Sequence, residues 1–184
     1  MAERYPAARA MPRALKGSVD ALSEAGGWHG AVMSEQHRTV TIERLEKGRY
    51  VARNARGVEM TFGAAGAEEF TPTELLLVAI AGCTGADVDY ITSKRADPVA
   101  FVVTGEGDKV RDDEGNRMEN LRVTFKVEFP EGEGGDAARA VLPDAMRKSH
   151  DRLCTVSRTI ERGTPIASLA VDGRSRAAAQ EPQG

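Results

Sequence analysis

The sequence predicts an α+β protein, and three features carry that reading. A run of short alternating segments opens the body of the chain, an apolar helix follows it, and a second alternating segment precedes two polar helices. Strands that come in runs, with helices inserted as blocks, place antiparallel sheets around helices rather than a parallel βαβ layout.

The first segments are Val40-Thr-Ile-Glu-Arg-Leu45, Arg49-Tyr-Val-Ala-Arg53 and Val58-Glu-Met-Thr-Phe62. Gly48 and the Arg56-Gly57 pair separate them, so they read as a three-stranded meander. The spacing then predicts a helix over 72–94. Thr71 is its N-cap and Pro72 its first helical residue, a position where the missing N–H of proline costs nothing. Leu75 to Ala81 covers every side of that helix with apolar groups, which marks a helix enclosed by protein.

Val99 to Val103 reads as a strand, with a polar turn at 112–116. Leu121, Val123, Phe125, Val127 and Phe129 then alternate strictly with Arg122, Thr124, Lys126 and Glu128, the pattern of a half-buried antiparallel strand. Residues 131–135 read as a glycine-rich loop, 136–152 as a polar helix and 154–161 as a short second helix. Pro165 to Val171 closes as a strand. Residues 1–37 form an appendage with one helix over 14–24, the domain proper spans 38–172, and 173–184 is a disordered tail.

Composition bounds the function classes. With 184 residues, 41% hydrophobic and 29% charged, the chain can bury the core of one globular domain. The formal net charge of −3 supplies no basic field for nucleic acid. The N-terminal stretch carries Arg4, Arg9 and Arg13 without an apolar segment, so no secretory signal is expected. Leu75 to Ala81 is too short an apolar run to span a bilayer. The protein is expected in the cytoplasm, where disulfides are transient rather than structural. Two cysteines and three scattered histidines give no metal-ligand spacing, and no cofactor is expected.

The two cysteines hold the chemistry. Cys83 ends the apolar run Thr71-Pro-Thr-Glu-Leu-Leu-Leu-Val-Ala-Ile-Ala-Gly-Cys83, where the side chains become small. Cys154 sits in Leu153-Cys-Thr-Val-Ser-Arg158, near the start of a short helix whose exposed N–H groups stabilise a thiolate. From the residues alone the pair is either an inert core feature or a dithiol that opens and closes. Helix-terminus reasoning makes Cys154 the more acidic thiol, since Cys83 lies well inside its helix.

Both stretches resemble the motifs of the osmotically inducible protein C and organic hydroperoxide resistance family. The first is similar to its central-helix motif, Pro-x-Glu-Leu-Leu-Leu followed by small residues, Gly-Cys-Thr and an Asp, here Asp87. The second is similar to its Cys-Pro-Val-Ser motif, with Thr155 in place of the proline. The resemblance spans about residues 38–172. It implies an OsmC-like fold, in which antiparallel sheets wrap long central helices in an intertwined homodimer. It also implies a thiol peroxidase that needs no metal or organic cofactor. Cys83 would attack a hydroperoxide, Cys154 would condense with the resulting sulfenic acid, and a small-molecule or protein dithiol would reduce the disulfide.

The family sets a glutamate and an arginine beside the attacking cysteine. In the hydroperoxide-resistance branch the glutamate position falls on Thr73, and the neighbouring Glu74 takes it up as in another branch. Arg53 and Arg56, on the meander, are the arginine candidates by location. The alternative reading is an OsmC-like protein that binds a small apolar ligand or senses redox state without efficient peroxidase activity.

Overall fold

The computed structural model describes residues 37–64 and 68–170. The expected 14–24 helix, the last residue of the expected closing strand and the tail lie outside them. The chain divides into two compact units, Met1–Thr39 and Val40–Gly184, and the elements below belong to the second. The unit is α+β with antiparallel sheets throughout.

The meander forms as its alternation dictates. Strands β1 (Val40–Glu46), β2 (Arg49–Asn54) and β3 (Glu59–Gly63) pair antiparallel in that order. The register sets Ile42 opposite Ala52 and Ala52 opposite Met60, with Tyr50 opposite Phe62, so one face is apolar. The Tyr50 and Phe62 rings stack there with centroids 5.4 Å apart. The other face is ionic: Arg53 reaches Glu43 at 2.8 Å and Glu59 at 2.5 Å.

Helix α1 (Pro72–Thr92) starts at the predicted residue and is locked by a capping box. The Thr71 hydroxyl accepts the Glu74 N–H at 3.3 Å, and the Glu74 carboxylate accepts the Thr71 N–H at 2.7 Å. Two otherwise orphaned donors are thereby satisfied. The helix is long and apolar enough to cross a membrane by length and composition. Here it lies instead against a two-stranded hairpin.

That hairpin, β4 (Ala100–Asp112) and β5 (Gly115–Glu128), is far longer than the apolar alternation predicted. Pairing runs past Val103 through the polar stretch Glu106–Arg111, because the backbone ladder and side-chain ties propagate it. Arg117 bonds Asp112 and Glu119, each at 2.6 Å, and Asn120 donates to Asp108 at 2.7 Å. Gly105 sets the closeness of helix and sheet. A Cβ there would lie 2.9 Å from the Leu77 carbonyl oxygen and 3.2 Å from Ala81 Cβ. Glycine lets β4 seat directly on the α1 backbone.

Helix α2 (Glu133–Lys148) begins earlier than expected, inside the glycine-rich stretch read as a loop. Glu133 and Asp136 in its first turn favour the positive helix end. Gly135 is pressed against the Pro130 carbonyl, where any side chain would collide. At the other end, Ser149–Leu153 is wound as a π-helical turn rather than continuing the α-helix, and α3 (Thr155–Glu161) follows after Cys154. The expected closing strand does not form over residues 164–170. That segment has no regular structure, and Ile166 and Leu169 are exposed at 92% and 79%. Its apolar residues meet no strand edge among the described residues. The fully enclosed side chains, Val88, Thr92, Ala138, Ala145, Ser149 and Cys154, mark a core between α1, α2 and the start of α3.

Candidate functional site: two thiols between the central helix and a π-helical turn

The fold brings the two cysteines together. Cys83 is half-buried on α1, Cys154 is completely enclosed, and both thiols are free. Thr84, the residue after Cys83, donates its hydroxyl to Cys154 Sγ at 3.4 Å, and each thiol shifts the ionisation of the other. The π-helical turn accomplishes this. Its wide winding lets the Cys154 N–H donate to the Ser149 carbonyl at 2.9 Å, after which Cys154 leaves the helical conformation to cap α3. Single π turns are characteristic of functional sites.

Cys154 Sγ is held from three directions. The Ser157 N–H donates to it at 3.4 Å, the Thr84 hydroxyl at 3.4 Å, and the Ser157 hydroxyl lies at 3.2 Å. Burial pushes this thiol up. Contacts with the Ser157 and Thr84 hydroxyls, the Ser157 amide and the Cys83 thiol outweigh burial, and the net direction is downward. Cys83 moves the other way. Burial raises it, and the neighbouring Cys154 and the Asp87 charge add to that, with only the Val156 amide opposing. The two thiols are thus differentiated in direction: the enclosed one is shifted down and the accessible one up.

Asp87 lies one turn beyond Cys83 on α1. Its carboxylate accepts the Ser149 hydroxyl at 2.8 Å, and Ser149 is fully buried. The helix of Cys83 is therefore tied to the residue whose carbonyl holds the Cys154 amide.

The structure places the other expected site residues elsewhere. Glu74 stands at the start of α1, where bonds from the Thr71 amide and hydroxyl hold its carboxyl below the usual range. Arg53 is committed to Glu59 and Glu43 on the meander, which raise it further. Arg56 sits in the β2–β3 turn, its backbone N–H bonded to Asn54 Oδ1 at 2.9 Å. Among the described residues, none of the three bonds to either sulfur. The sequence marked Thr84, Asp87 and Ser157 only as motif positions without a role, and did not single out Ser149. A signal existed for Ser157, which stands at the third helical position after an N-cap, where a capping side chain finds its N–H.

Two hollows flank the site. One, of about 370 Å³, is walled by Ile80, Val123, Phe125 and Met146 and reaches the Thr84 and Ser157 hydroxyls that hold Cys154. His150 and Glu161, with a 3.5 Å ion-pair contact, also line it. The other, of about 530 Å³, is a groove between α1 and β4 lined by Val78, Gly82, Ala86 and Phe101. Among the described residues, no cluster of three or more His, Cys, Asp or Glu is arranged to hold a metal ion.

Comparison with known proteins locates this arrangement. The family model for OsmC-like protein matches residues 65–168, which include both cysteines. An uncharacterized protein of Mycobacterium tuberculosis strain H37Rv is 29% identical over 133 residues, covering 71% of this chain and 94% of its own. An OsmC-like protein of unknown function from Vibrio cholerae superposes with a TM-score of 0.58 at 11% identity, covering 68% of this chain and 94% of that one. A hypothetical protein from Aquifex aeolicus gives 0.56 at 22%, covering 70% and 90%. These likenesses establish the fold.

Proposed function

We propose that this chain, which belongs to the OsmC-like protein family, is a cytoplasmic thiol-dependent peroxidase that reduces organic hydroperoxides through Cys83 and Cys154. The observation that carries the reading is the meeting of two free thiols, one accessible and one enclosed, across α1 and the cap of α3. Two residues, Thr84 and Ser157, bring three polar atoms to the enclosed sulfur.

Cys83, the accessible thiol, attacks as thiolate the terminal oxygen of the hydroperoxide. The O–O bond breaks, the departing alkoxide takes a proton and leaves as alcohol, and Cys83 becomes a sulfenic acid. Cys154 then attacks the Cys83 sulfur. A disulfide forms, and the displaced hydroxide leaves as water with the proton that Cys154 gave up. A small-molecule or protein dithiol reduces the disulfide and is itself oxidised to one. The bonds to Cys154 favour its thiolate and so suit the second attack. The 370 Å³ hollow beside Cys154, with Ile80, Val123, Phe125 and Met146 in its wall, offers room for the organic group of a peroxide.

The working form is a homodimer. The Leu75–Ala81 stretch of α1 is apolar on every side, yet its residue Val78 is 51% exposed in the single chain, beside the α1–β4 groove. Such a face is covered by protein in stable folds. The cation that lowers Cys83 is then supplied across the dimer, with Arg53 and Arg56 as candidates and Glu74 as the accompanying carboxylate.

The test is thiol titration after one equivalent of cumene hydroperoxide, with product analysis. Loss of both thiols with stoichiometric cumyl alcohol is expected. The same hollow also favours a second reading, a binder of small apolar ligands whose dithiol only reports redox state. Unchanged thiols, with saturable binding of an apolar dye displaced by fatty acid, would establish that reading instead.

A further inference from the structure

The Asp87–Ser149 contact joins the segments that carry the two thiols, and the steps above leave it unused. Ser149 is completely buried at the junction of α2 with the π-helical turn. Its side chain donates to Asp87 Oδ2 at 2.8 Å, and its backbone carbonyl accepts the Cys154 N–H at 2.9 Å. Asp87 in turn sits one helical turn from Cys83, on the same side of α1. A continuous path therefore runs from the Cys83 helix, through a charge-assisted hydrogen bond, to the Cys154 backbone. The Cys154 carbonyl accepts the Arg158 N–H at 3.1 Å within the first turn of α3, and its remaining contacts run through the sulfur, the ones lost when the sulfur leaves to form a disulfide. The Asp87–Ser149 tie survives that departure.

We propose that Asp87 is a positioning residue of the dithiol: by anchoring Ser149 it presents Cys154 to Cys83 and sets the rate at which the disulfide closes. The inference rests on the dithiol of the proposed function but not on its oxidant. Asp87 also acts on Cys83 directly, because its negative charge faces the sulfur from the same helix. From the elements packed opposite come Cys154 and the Val156 amide, and only the amide favours a Cys83 anion. The latch thus has a cost, since the carboxylate that aligns the second thiol disfavours ionisation of the first.

The experiment follows closure with diamide, which takes two electrons and two protons from the pair and needs no peroxidase activity. Rates are read by mass spectrometry on the full chain. Asp87→Ala and Ser149→Ala should each slow the intramolecular step, read as decay of the Cys83–diamide adduct, about ten-fold, the scale of one buried hydrogen bond to a charge. The double variant should be no slower than either single one, since both remove the same bond. Ser149→Thr, which keeps the hydroxyl, should recover most of the rate. Closure within two-fold of the parent in either alanine variant, or slowing that multiplies in the double, overturns the proposal. Asp87→Asn covers alanine variants that fail to fold. It keeps the side-chain volume and removes the charge that strengthens the bond to Ser149, so closure should still slow several-fold, and closure at the parent rate overturns the proposal. A parent protein that closes with diamide yet ignores cumene hydroperoxide would sink the peroxidase reading and leave this one standing.

Discussion

Thr84→Val isolates one of the bonds that make Cys154 acidic. Thr84 is 7% exposed, and valine fills nearly the same volume, so packing is preserved while the hydroxyl goes. That hydroxyl has one proton for two acceptors, the Ile80 carbonyl at 2.9 Å and Cys154 Sγ at 3.4 Å. The shorter contact takes the larger share, so the bond to sulfur belongs at the low end of hydrogen-bond values, about 0.5–1 kcal/mol. At 1.36 kcal/mol per pK unit, the Cys154 midpoint should rise by roughly 0.4–0.7 units. The assay is thiolate absorbance near 240 nm against pH, in a Cys83→Ser background so that one thiol titrates. Linkage fixes the companion result. Cys154 is lowered in the folded state, so its contribution to stability is full above the unfolded cysteine value and is lost as pH falls through the folded one. The destabilisation by Thr84→Val should therefore be larger at alkaline pH than at pH 6. A midpoint that stays put, or a pH-independent loss of stability, would refute the claim that this hydroxyl stabilises the thiolate.

Gly105→Ala should cost about 1–3 kcal/mol in denaturant unfolding, because its Cβ would meet the Leu77 carbonyl oxygen at 2.9 Å and the backbone of α1 cannot yield locally. Thr71→Ala should lose about 1 kcal/mol by removing one half of the capping box, with no effect on disulfide closure. Val78→Asp should convert a dimer in light scattering to a monomer; a parent protein that is already monomeric at micromolar concentration contradicts the dimer itself. For the isolated single chain, with Cys83 held above the usual cysteine value, peroxide consumption should climb with pH through the alkaline range. A flat profile would mean that a cation already holds Cys83 ionised.

The parts of the fold legible in the sequence were those written locally. The meander follows from alternation and turn glycines, and α1 follows from Thr71 and Pro72 at its start. The hairpin was underestimated because its outer half is held by a backbone ladder and by ion pairs such as Arg117–Asp112, which leave no apolar rhythm. The π-helical turn was unreadable because Ser149–Leu153 carries no local pattern for it, and the partner of Ser149, Asp87, lies far away in sequence. At the site, the composition around each cysteine gave both thiols, but their partners Thr84 and Ser149 are ordinary helix residues until the fold aims them. The segment 164–170 has strand-like composition, yet an exposed Ile166 shows that composition alone does not supply a neighbouring edge.

The division between the thiols gives the dimer a chemical as well as a packing argument. The sulfur best disposed to ionise, Cys154, is sealed from solvent, so peroxide cannot reach it without opening the core. The sulfur that peroxide can reach, Cys83, is disfavoured as an anion by burial and by Asp87. A single chain therefore has its acidity and its access on different atoms. Moving Asp87 would repair the acidity and release the Ser149 tie. A cation arriving from outside the chain would repair it and leave the tie intact. The side of α1 that still exposes Val78 is where a second chain would settle. Covering that face would remove apolar surface from water, and in the same step it would bring foreign charge toward the helix that carries Cys83.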